Sequence, residues 1–172
     1  VVKQLDLSLA VRNASGLLRS TIPRSADLVL HLAVGLPVIN ADEGQLSQVI
    51  LNLVSNAGDA LAGKPGRIEI STSSVAADET LLLQGRVEPP PPPGAYVCLD
   101  VRDNGAGMDE PTCEKFLDPF FSTKAVGRGL GMAAVLGIVR GHHGTILVES
   151  APGRGTRIQI LFPVAPPAAS AT

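Results

Sequence analysis

The sequence predicts an α+β fold in which helices cover one face of an antiparallel or mixed β-sheet. Segments with strand-like alternation and segments with helix-like periodicity follow one another in irregular order, whereas a doubly wound parallel sheet requires regular alternation. The chain has 172 residues, of which 45% are hydrophobic and 17% are charged, and this composition supports one domain with a sizeable core. The clearest helical pattern, residues 42–61, has a single apolar face.

The individual elements follow from the same two periodicities. Residues 27–34 and 37–40 alternate on either side of a Gly-Leu-Pro break and predict a hairpin. Residues 130–140 are apolar nearly all round and predict a deeply buried helix. The other predicted strands are 5–9, 67–73, 95–101, 144–150 and 156–163, the last two forming a closing hairpin, and the other predicted helices are 8–20, 42–61 and 109–116.

One segment interrupts this pattern. Residues 75–94 contain five consecutive prolines, which lack amide donors and favour an extended, unpaired chain, so we expect an inserted surface loop. A proline run can also bind an aromatic groove on a partner, although an isolated run is more often a spacer. The predicted domain covers residues 1–164, and residues 165–172 are expected to form a disordered tail.

Composition limits the classes of partner. The net charge of −2 and the isoelectric point near 5.9 provide no basic field, so neither nucleic acid nor membrane contact is expected. The longest strongly apolar stretch, residues 130–139, is about half of the ~20 residues that a spanning helix requires. No leader-like segment opens the sequence, which predicts a cytoplasmic location. Cys98 and Cys113 lack metal-ligand spacing and are expected to be buried or half-buried thiols.

The helix predicted at residues 42–61 carries a polar arc opposite its apolar stripe. At 100° per residue, the side chains within this arc are Gln48, Asn52, Asn56 and Asp59. An ordinary solvated face is the alternative, but such faces favour Lys, Glu and Arg, and asparagine is a poor helix former. Amide oxygens are hard ligands that suit a magnesium ion which also holds substrate phosphates. The arc therefore favours a binding site.

Two glycine-containing motifs follow later in the chain. In DNGAGM, residues 103–108, Gly105 and Gly107 allow close backbone approach and Asp103 offers an acceptor to an exocyclic amine, although a plain Asp-Asn-Gly turn explains the motif equally well. In FLDPFFSTKAVGRGLGM, residues 116–132, three glycines precede a predicted helix, so free amide groups and the positive helix dipole would face a phosphate chain. The spacing matches neither a P-loop nor a dinucleotide-binding fingerprint.

Together, QVILNLVSNAGDAL, DNGAGM, DPFFSTK and GRGLGM closely resemble the histidine-kinase branch of the ATPase superfamily that includes gyrase, Hsp90 and MutL. The resemblance spans about residues 5–164, including the closing HHGTILVESAPGRGTRIQILFP. It implies a Bergerat-type two-layer α/β sandwich, with about three helices on one face of a mixed, mostly antiparallel sheet. It also implies an ATP-binding catalytic domain of a bacterial sensor histidine kinase.

The resemblance implies a role for each matching residue. Asn56 would coordinate Mg²⁺, Asn52 would flank the phosphates, and Asp103 would accept a hydrogen bond from the adenine amino group. Asn52, Asn56 and Lys124 are the residues expected to be catalytic. Phe120 and Phe121 match an aromatic pair beneath a mobile lid. The remaining residues expected at the nucleotide are Asp59, Gly105, Gly107, Met108, Phe121, Lys124, Gly127, Arg128, Gly129, Leu130 and Gly131.

Asn52 occupies a position where hydrolytic relatives carry a glutamate general base. An amide cannot accept that proton, so slow hydrolysis is expected. The resemblance instead implies transfer of the γ-phosphoryl group to a histidine on a separate dimerisation domain, with a response regulator downstream. Two alternatives remain: an interaction module that senses ATP without chemistry, and a true ATPase of the gyrase or MutL kind, which Asn52 disfavours.

The sequence shows no candidate for the acceptor histidine. His31, His142 and His143 all lack the helical, acid-flanked setting of such an acceptor, and we expect structural roles for all three. The acceptor, a sensor region and any membrane anchor are therefore expected outside this sequence.

Overall fold

A computed structural model describes residues 1–118 and 130–167 of the chain. Within these ranges the strands and helices alternate irregularly, as the sequence predicts. The strand predicted at residues 5–9 is wrong, because the first strand ends at Leu5 and Asp6 caps a helix that begins at Leu7. The strands are β1 Val2–Leu5, β2 Ala26–His31, β3 Ile39–Asp42, β4 Gly66–Ala77, β5 Gly94–Asp103, β6 Thr145–Ser150 and β7 Thr156–Pro163; the helices are α1 Leu7–Thr21, α2 Glu43–Ala60, α3 Glu79–Leu83, α4 Glu110–Lys115 and α5 Leu130–Gly141.

Within the described ranges the main sheet has five strands in the order β2-β4-β5-β7-β6, of which only β2 and β4 pair in parallel. The predicted hairpin of residues 27–34 and 37–40 is wrong, because β2 pairs with β4 whereas β3 pairs with β1 in a separate two-stranded sheet. Alternation identifies a strand but not its partner. Parallel pairing of β2 with β4 requires a long connection, and β3 and α2 provide it.

Helices α1, α2 and α5 share one core with the sheet face that we call the inner face. Helix α2 matches its prediction closely: the carboxylate of Asp42 caps its N-terminus by accepting from the amide of Gln45 at 2.9 Å. The apolar stripe of α2 is almost completely buried, at 0–2% exposure, and consists of Leu46, Val49, Ile50, Leu53, Val54 and Ala57.

Helix α5 is less buried than its composition suggests. Met132, Val135 and Val139 are buried in the shared core, whereas Gly137 and Arg140 are exposed. The prediction of a deeply buried helix is therefore wrong for one face of α5. Glycine and alanine raise the apolar fraction of this helix without supplying side chains large enough to need cover.

The opposite, outer face of the sheet carries a second, smaller apolar cluster. Its buried members are Ala77, Leu82, Tyr96, Cys98, Leu147 and Leu161. Leu82 belongs to α3, which lies within the segment predicted as an inserted surface loop, and residues 75–77 extend β4. The loop prediction is wrong for residues 75–77 and for α3. Strands β4 and β5 extend past the residues that contact the inner core, and the apolar side chains on their outer face need a cover.

The rest of this segment is held by hydrogen bonds. The amide of Arg86 donates to the carbonyl of Ile146 at 2.9 Å, and the Tyr96 hydroxyl donates to the carbonyl of Pro92 at 2.6 Å. The tail prediction also needs correction at its first residue: Ala165 is 9% exposed, and its amide donates to the carbonyl of Val38 at 2.9 Å. Residues 168–172 lie outside the described ranges.

Candidate functional site

The polar arc of α2 faces the start of α5. Asn52, Asn56 and Asp59 are half-buried, whereas Gln48 is exposed. The side-chain nitrogen of Asn52 donates to the carbonyl of Gly131 at 3.1 Å. Because a carbonyl oxygen only accepts, this contact fixes which end of the amide faces α5. It also ties the arc to the helix that follows the glycine-rich motif.

The C-terminal end of α2 contacts the loop formed by residues 103–108. The amide of Ala106 donates to the carbonyl of Ala60, the last residue of α2, at 3.2 Å. Asp59 precedes Ala60, and Asn56 lies one turn earlier. The polar arc and the loop are therefore adjacent, as a common site requires.

Asp103 is the last residue of β5 and continues the alternation of Val97, Leu99 and Val101 on the inner face. One of its carboxylate oxygens accepts from the amide of Gly105 at 2.9 Å. The side-chain oxygen of Asn104 accepts from the amide of Arg67 at 2.8 Å and so extends the pairing of β5 with β4. The Asp-Asn-Gly turn considered above thus exists, and it coexists with the placement of Asp103 beside α2.

Two glycines of this loop permit contacts that no other residue allows. A Cβ at Gly105 would overlap the carbonyl of Ala60, and a Cβ at Gly107 would overlap the carbonyl of Ala151. Gly107 also has a φ of +71°, a left-handed conformation that favours glycine. The loop is therefore clamped between α2 and the turn that joins β6 to β7, and both predicted glycines have a structural cause.

Two hydroxyl groups complete this clamp, and neither was predicted from the sequence to have a role. Ser150 ends β6 and Thr156 begins β7, and their hydroxyl oxygens are 2.8 Å apart. The amide of Met108 donates to the Ser150 hydroxyl at 2.8 Å. In the sequence the two residues lie on either side of the glycine-containing turn 152–155. A serine at the end of a strand is common, so this position alone does not predict a role.

A cleft lies beside this loop. It has a volume of about 360 Å³ and is lined by Arg102, Asp103, Glu149, Ser150, Ala151, Arg154, Gly155, Thr156 and Arg157. None of these residues belongs to α2, so the cleft does not include the predicted magnesium ligand.

The charges beside this cleft are largely paired. Arg157 makes contacts of 2.8 and 2.9 Å with one oxygen of Asp100, a residue that is 7% exposed. This hydrogen bond is the main cause of the raised pKa of Arg157. Glu149 lies opposite Arg157 in the sheet and adds a second negative charge. This pairing reduces the positive charge that Arg157 presents to the cleft.

Several predicted site residues lie outside the described ranges: Phe120, Phe121, Lys124, Gly127, Arg128 and Gly129. Leu130 and Gly131 are the first two residues of α5. The structure therefore brings together Asn52 with Gly131, and the end of α2 with the loop that contains Asp103, Gly105, Gly107 and Met108.

The structure agrees with the prediction of a structural role for His142 and with the burial predicted for the two cysteines. One ring nitrogen of His142 lies 2.7 Å from the carbonyl of Ile138, and the other accepts from the amide of Asp42 at 3.2 Å. Cys98 is buried and Cys113 is half-buried. Across the described residues, no helix is long and apolar enough to cross a membrane, and no cluster of three or more His, Cys, Asp or Glu side chains is arranged to hold a metal ion.

The fold and the clamped loop define an α+β domain in which the polar arc of α2 lies beside the end of the central strand β5. The profile of the family described as histidine kinase-, DNA gyrase B-, and HSP90-like ATPases matches residues 41–166. The sensor kinase CckA of Brucella abortus (strain 2308) is 34% identical over 161 residues, which make up 92% of this chain and 17% of that protein. The chain belongs to the histidine kinase-, DNA gyrase B-, and HSP90-like ATPase family, as the four motifs predict.

Solved structures confirm the predicted fold class. A mycobacterial sensor histidine kinase, MprB, superimposes with a TM-score of 0.72 at 21% identity, over 96% of this chain and 99% of that chain. Full-length ShkA, solved in complex with AMPPNP, gives a TM-score of 0.74 at 24% identity, over 98% of this chain and 32% of that one. This chain thus corresponds to one part of much longer proteins such as CckA and ShkA.

Proposed function

We propose that this chain binds ATP with Mg²⁺ and serves as the catalytic domain of a sensor histidine kinase. The observation that carries the proposal is the junction of α2 with the loop 103–108 through Ala60 and Ala106. It places an arc of amide side chains beside an aspartate at the end of a central strand. Family membership and the AMPPNP complex of ShkA support the same ligand class.

In this proposal Asp103 recognises the base. Its carboxylate accepts a hydrogen bond from the adenine amino group, while the Gly105 amide holds the carboxylate in place. Gly107 and Met108 line the base pocket. Asn52 flanks the phosphates, and its contact with Gly131 fixes its orientation.

The metal assignment rests on the chemistry of the available donors. Asn56 is half-buried on the arc and offers an amide oxygen, a hard ligand suited to Mg²⁺. A magnesium ion usually keeps few protein ligands and takes the rest from water and substrate phosphates. A single asparagine therefore fits, and Asn56 would hold the ion. When bound, Mg²⁺ would neutralise negative charge on the phosphates.

The remaining site residues keep the roles that the motif resemblance implies, and some of them lie outside the described ranges. Lys124 would act with Asn52 and Asn56 in catalysis. Asp59 is proposed at the nucleotide on the strength of its position on the arc. The other proposed nucleotide contacts are Phe121, Gly127, Arg128, Gly129, Leu130 and Gly131.

We further propose that the γ-phosphoryl group passes to a histidine on a separate dimerisation domain and then to a response regulator. The chain's own contribution would be alignment of the triphosphate and compensation of its charge. Asn52 cannot act as a general base, because an amide does not accept a proton at neutral pH. Hydrolysis by the domain alone would therefore be slow.

Calorimetric titration of ATP with and without Mg²⁺ tests the binding proposal. We expect Asp103→Ala to lose binding under both conditions and Asn56→Ala to lose only the part that depends on Mg²⁺. Gln48→Ala is the matched control, because Gln48 lies on the same helix but is exposed. A folded parent chain that binds no ATP would contradict the proposal.

A second assay separates the kinase from the two alternatives. The ATP-bound chain is mixed with a histidine-containing dimerisation domain and radiolabelled ATP, and label on the histidine is measured. ATP binding without labelling would favour a nucleotide-sensing module. Rapid release of phosphate by the isolated chain would favour a hydrolytic ATPase and contradict the role given to Asn52.

A further inference from the structure

Strand β2 forms one edge of the main sheet, and within the described ranges no strand lies beyond it. A strand that pairs on one side only leaves alternate backbone amides and carbonyls facing outward, where another strand can bind them. The cover of the inner face is also incomplete here, because Leu30 is half-buried whereas Ile70, its neighbour on β4, is 0% exposed. The edge of β2 is therefore a place where a further strand can extend the sheet.

Strand β2 lacks the features that commonly prevent strand addition. Natural edge strands are often protected by a proline, a lysine or a bulge. Residues 26–31 contain no proline and no lysine, and they pair with β4 residue by residue without a bulge. The charged and titratable side chains of β2 are Asp27 and His31, near its two ends, and both are exposed. Whether they oppose or favour another strand depends on what lies opposite them.

The side chains of β2 are divided between the two faces of the sheet. Leu28 and Leu30 pack in the inner core. Because successive side chains of a strand point to opposite faces, Asp27, Val29 and His31 lie on the outer face. The carboxylate of Asp27 accepts hydrogen bonds, and an imidazole ring donates at least one. The outer face of β2 thus carries an acceptor, an apolar residue and a donor at equal spacing, with Val29 at the centre.

This series is complementary to itself when a second copy is rotated by a half-turn. An antiparallel copy related by a twofold axis perpendicular to the sheet keeps its inner face on the same side, so residues of the same face lie opposite each other. With the axis at Val29, Asp27 of each copy lies opposite His31 of the other, and the two Val29 side chains meet. A shift of the second copy by two residues keeps the faces matched but places Asp27 opposite Val29 or Ala33. The pairing centred on Val29 is therefore the one that gives Asp27 a polar partner.

We infer that the edge of β2 binds a second copy of this chain by antiparallel strand addition, with Val29 at the twofold axis. The two five-stranded sheets join into one sheet, and both helix layers lie on the same side of it. Residues 27–31 of each copy make an interface well below the standard size of about 1,600 Å², so we expect a weak dimer with a dissociation constant on the order of 100 µM. None of these residues belongs to the polar arc of α2 or to the loop 103–108, so the inference does not rest on the proposed function.

An exchange of the two outer-face charges tests both the surface and the register. Sedimentation equilibrium of the chain, at loading concentrations from about 10 µM to about 1 mM that bracket the expected constant, measures the dimer dissociation constant. His31→Asp places carboxylates opposite each other at two symmetric positions, and we expect it to raise this constant about tenfold. The double variant Asp27→His with His31→Asp restores an acceptor opposite a donor at both positions. It should therefore recover the dissociation constant of the parent.

A second pair of variants tests the position of the axis. Val29→Lys brings two ammonium groups together at the axis and should also raise the dissociation constant at least about tenfold. Leu83→Lys is the matched control, because it adds the same charge at a residue on α3 that is 61% exposed, and it should leave the constant unchanged. Urea unfolding confirms that each variant folds. Hydrogen exchange read by mass spectrometry should show slower exchange of residues 26–31 at the highest concentration than at the lowest.

Two results would overturn the inference. A parent chain that stays monomeric up to about 1 mM excludes the dimer and leaves the edge of β2 to an extended segment of a different protein. A dimer that His31→Asp and Val29→Lys do not weaken, or that the charge exchange does not recover, forms through another surface or in another register. Calorimetry should give every variant the ATP affinity of the parent, so this inference and the proposed function fail separately.

Discussion

Replacing Gly107 with alanine isolates the contribution of a single close backbone contact to the site. Gly107 has a φ of +71°, and a Cβ there would overlap the carbonyl of Ala151. Gly153, in the turn between β6 and β7, has a φ of +75° but has open space around the same atom. Gly107→Ala and Gly153→Ala therefore share the conformational cost and differ in the contact.

The expected magnitudes follow from these two terms. A left-handed conformation costs alanine about 1–2 kcal/mol, which both variants lose. Forcing the added methyl group against the backbone of Ala151 should lower the free energy of unfolding by about 1–3 kcal/mol more, and this loss applies only to Gly107→Ala. The loop must also shift away from Ala151, and the base contacts of Asp103 shift with it. We expect a rise of at least about tenfold in the ATP dissociation constant of Gly107→Ala, or about 1.4 kcal/mol.

Urea-induced unfolding of the parent and both variants gives the free energies of unfolding, and calorimetry gives the ATP affinities. Gly153→Ala should be moderately destabilised and bind ATP like the parent. Gly107→Ala should be the less stable of the two and bind ATP weakly. Equal destabilisation of the two variants, with equal ATP affinity, would refute the claim that the loop is clamped against the β6–β7 turn.

Four other predictions concern stability and reactivity. Leu82→Ala should lower the free energy of unfolding, measured in urea, by about 2–5 kcal/mol. Leu83→Ala should lower it by less than about 0.5 kcal/mol, because Leu83 is 61% exposed in the parent. Similar losses in the two variants would contradict the outer cluster. Burial first, and the nearby carboxylate of Asp100 second, raise the pKa of the Cys98 thiol from 9.0 to about 11. Because the folded state holds the thiol proton more tightly than the unfolded state does, the contribution of Cys98 to stability is complete below pH 9 and declines as the pH rises towards 11. Urea titrations across that range should therefore show a smaller decline in stability for Cys98→Ala than for the parent. At pH 8 a thiol reagent should modify Cys113 and spare Cys98 until urea is added, and early modification of both would contradict the burial. His143→Gly should stabilise the chain by about 0.5 kcal/mol, because His143 has a φ of +63° at the end of α5; unchanged or lower stability would show that this conformation is not strained.

Much of the helix layer could be predicted from the sequence because its signals are local. The apolar stripe of α2 repeats at three- and four-residue spacing, and Asp42 caps the helix from the adjoining position. The polar arc was predicted from the same periodicity, and Asn52 does contact the start of α5.

What could not be predicted depends on partners that are distant in sequence. Residues 27–34 and 37–40 show the same apolar alternation. This pattern does not indicate that the first segment pairs with Ile68 on β4 and the second with Leu5 on β1. The same holds for Ser150, whose role arises only when the loop 103–108 and the turn 152–155 meet at its hydroxyl. A strand-end serine has no sequence signature for such a role.

The cover that α3 provides on the outer face limits how this domain can be engineered. Residues 96–101 of β5 are all buried, because the strand lies between two apolar clusters. Replacing residues 78–93 with a short turn would join β4 to β5 more directly, and it would also uncover Tyr96, Leu147 and Leu161 at once. Such a contiguous apolar patch promotes self-association. A trimmed version of this chain would therefore need polar substitutions on those strands to stay monodisperse at the concentrations that crystallisation or NMR requires.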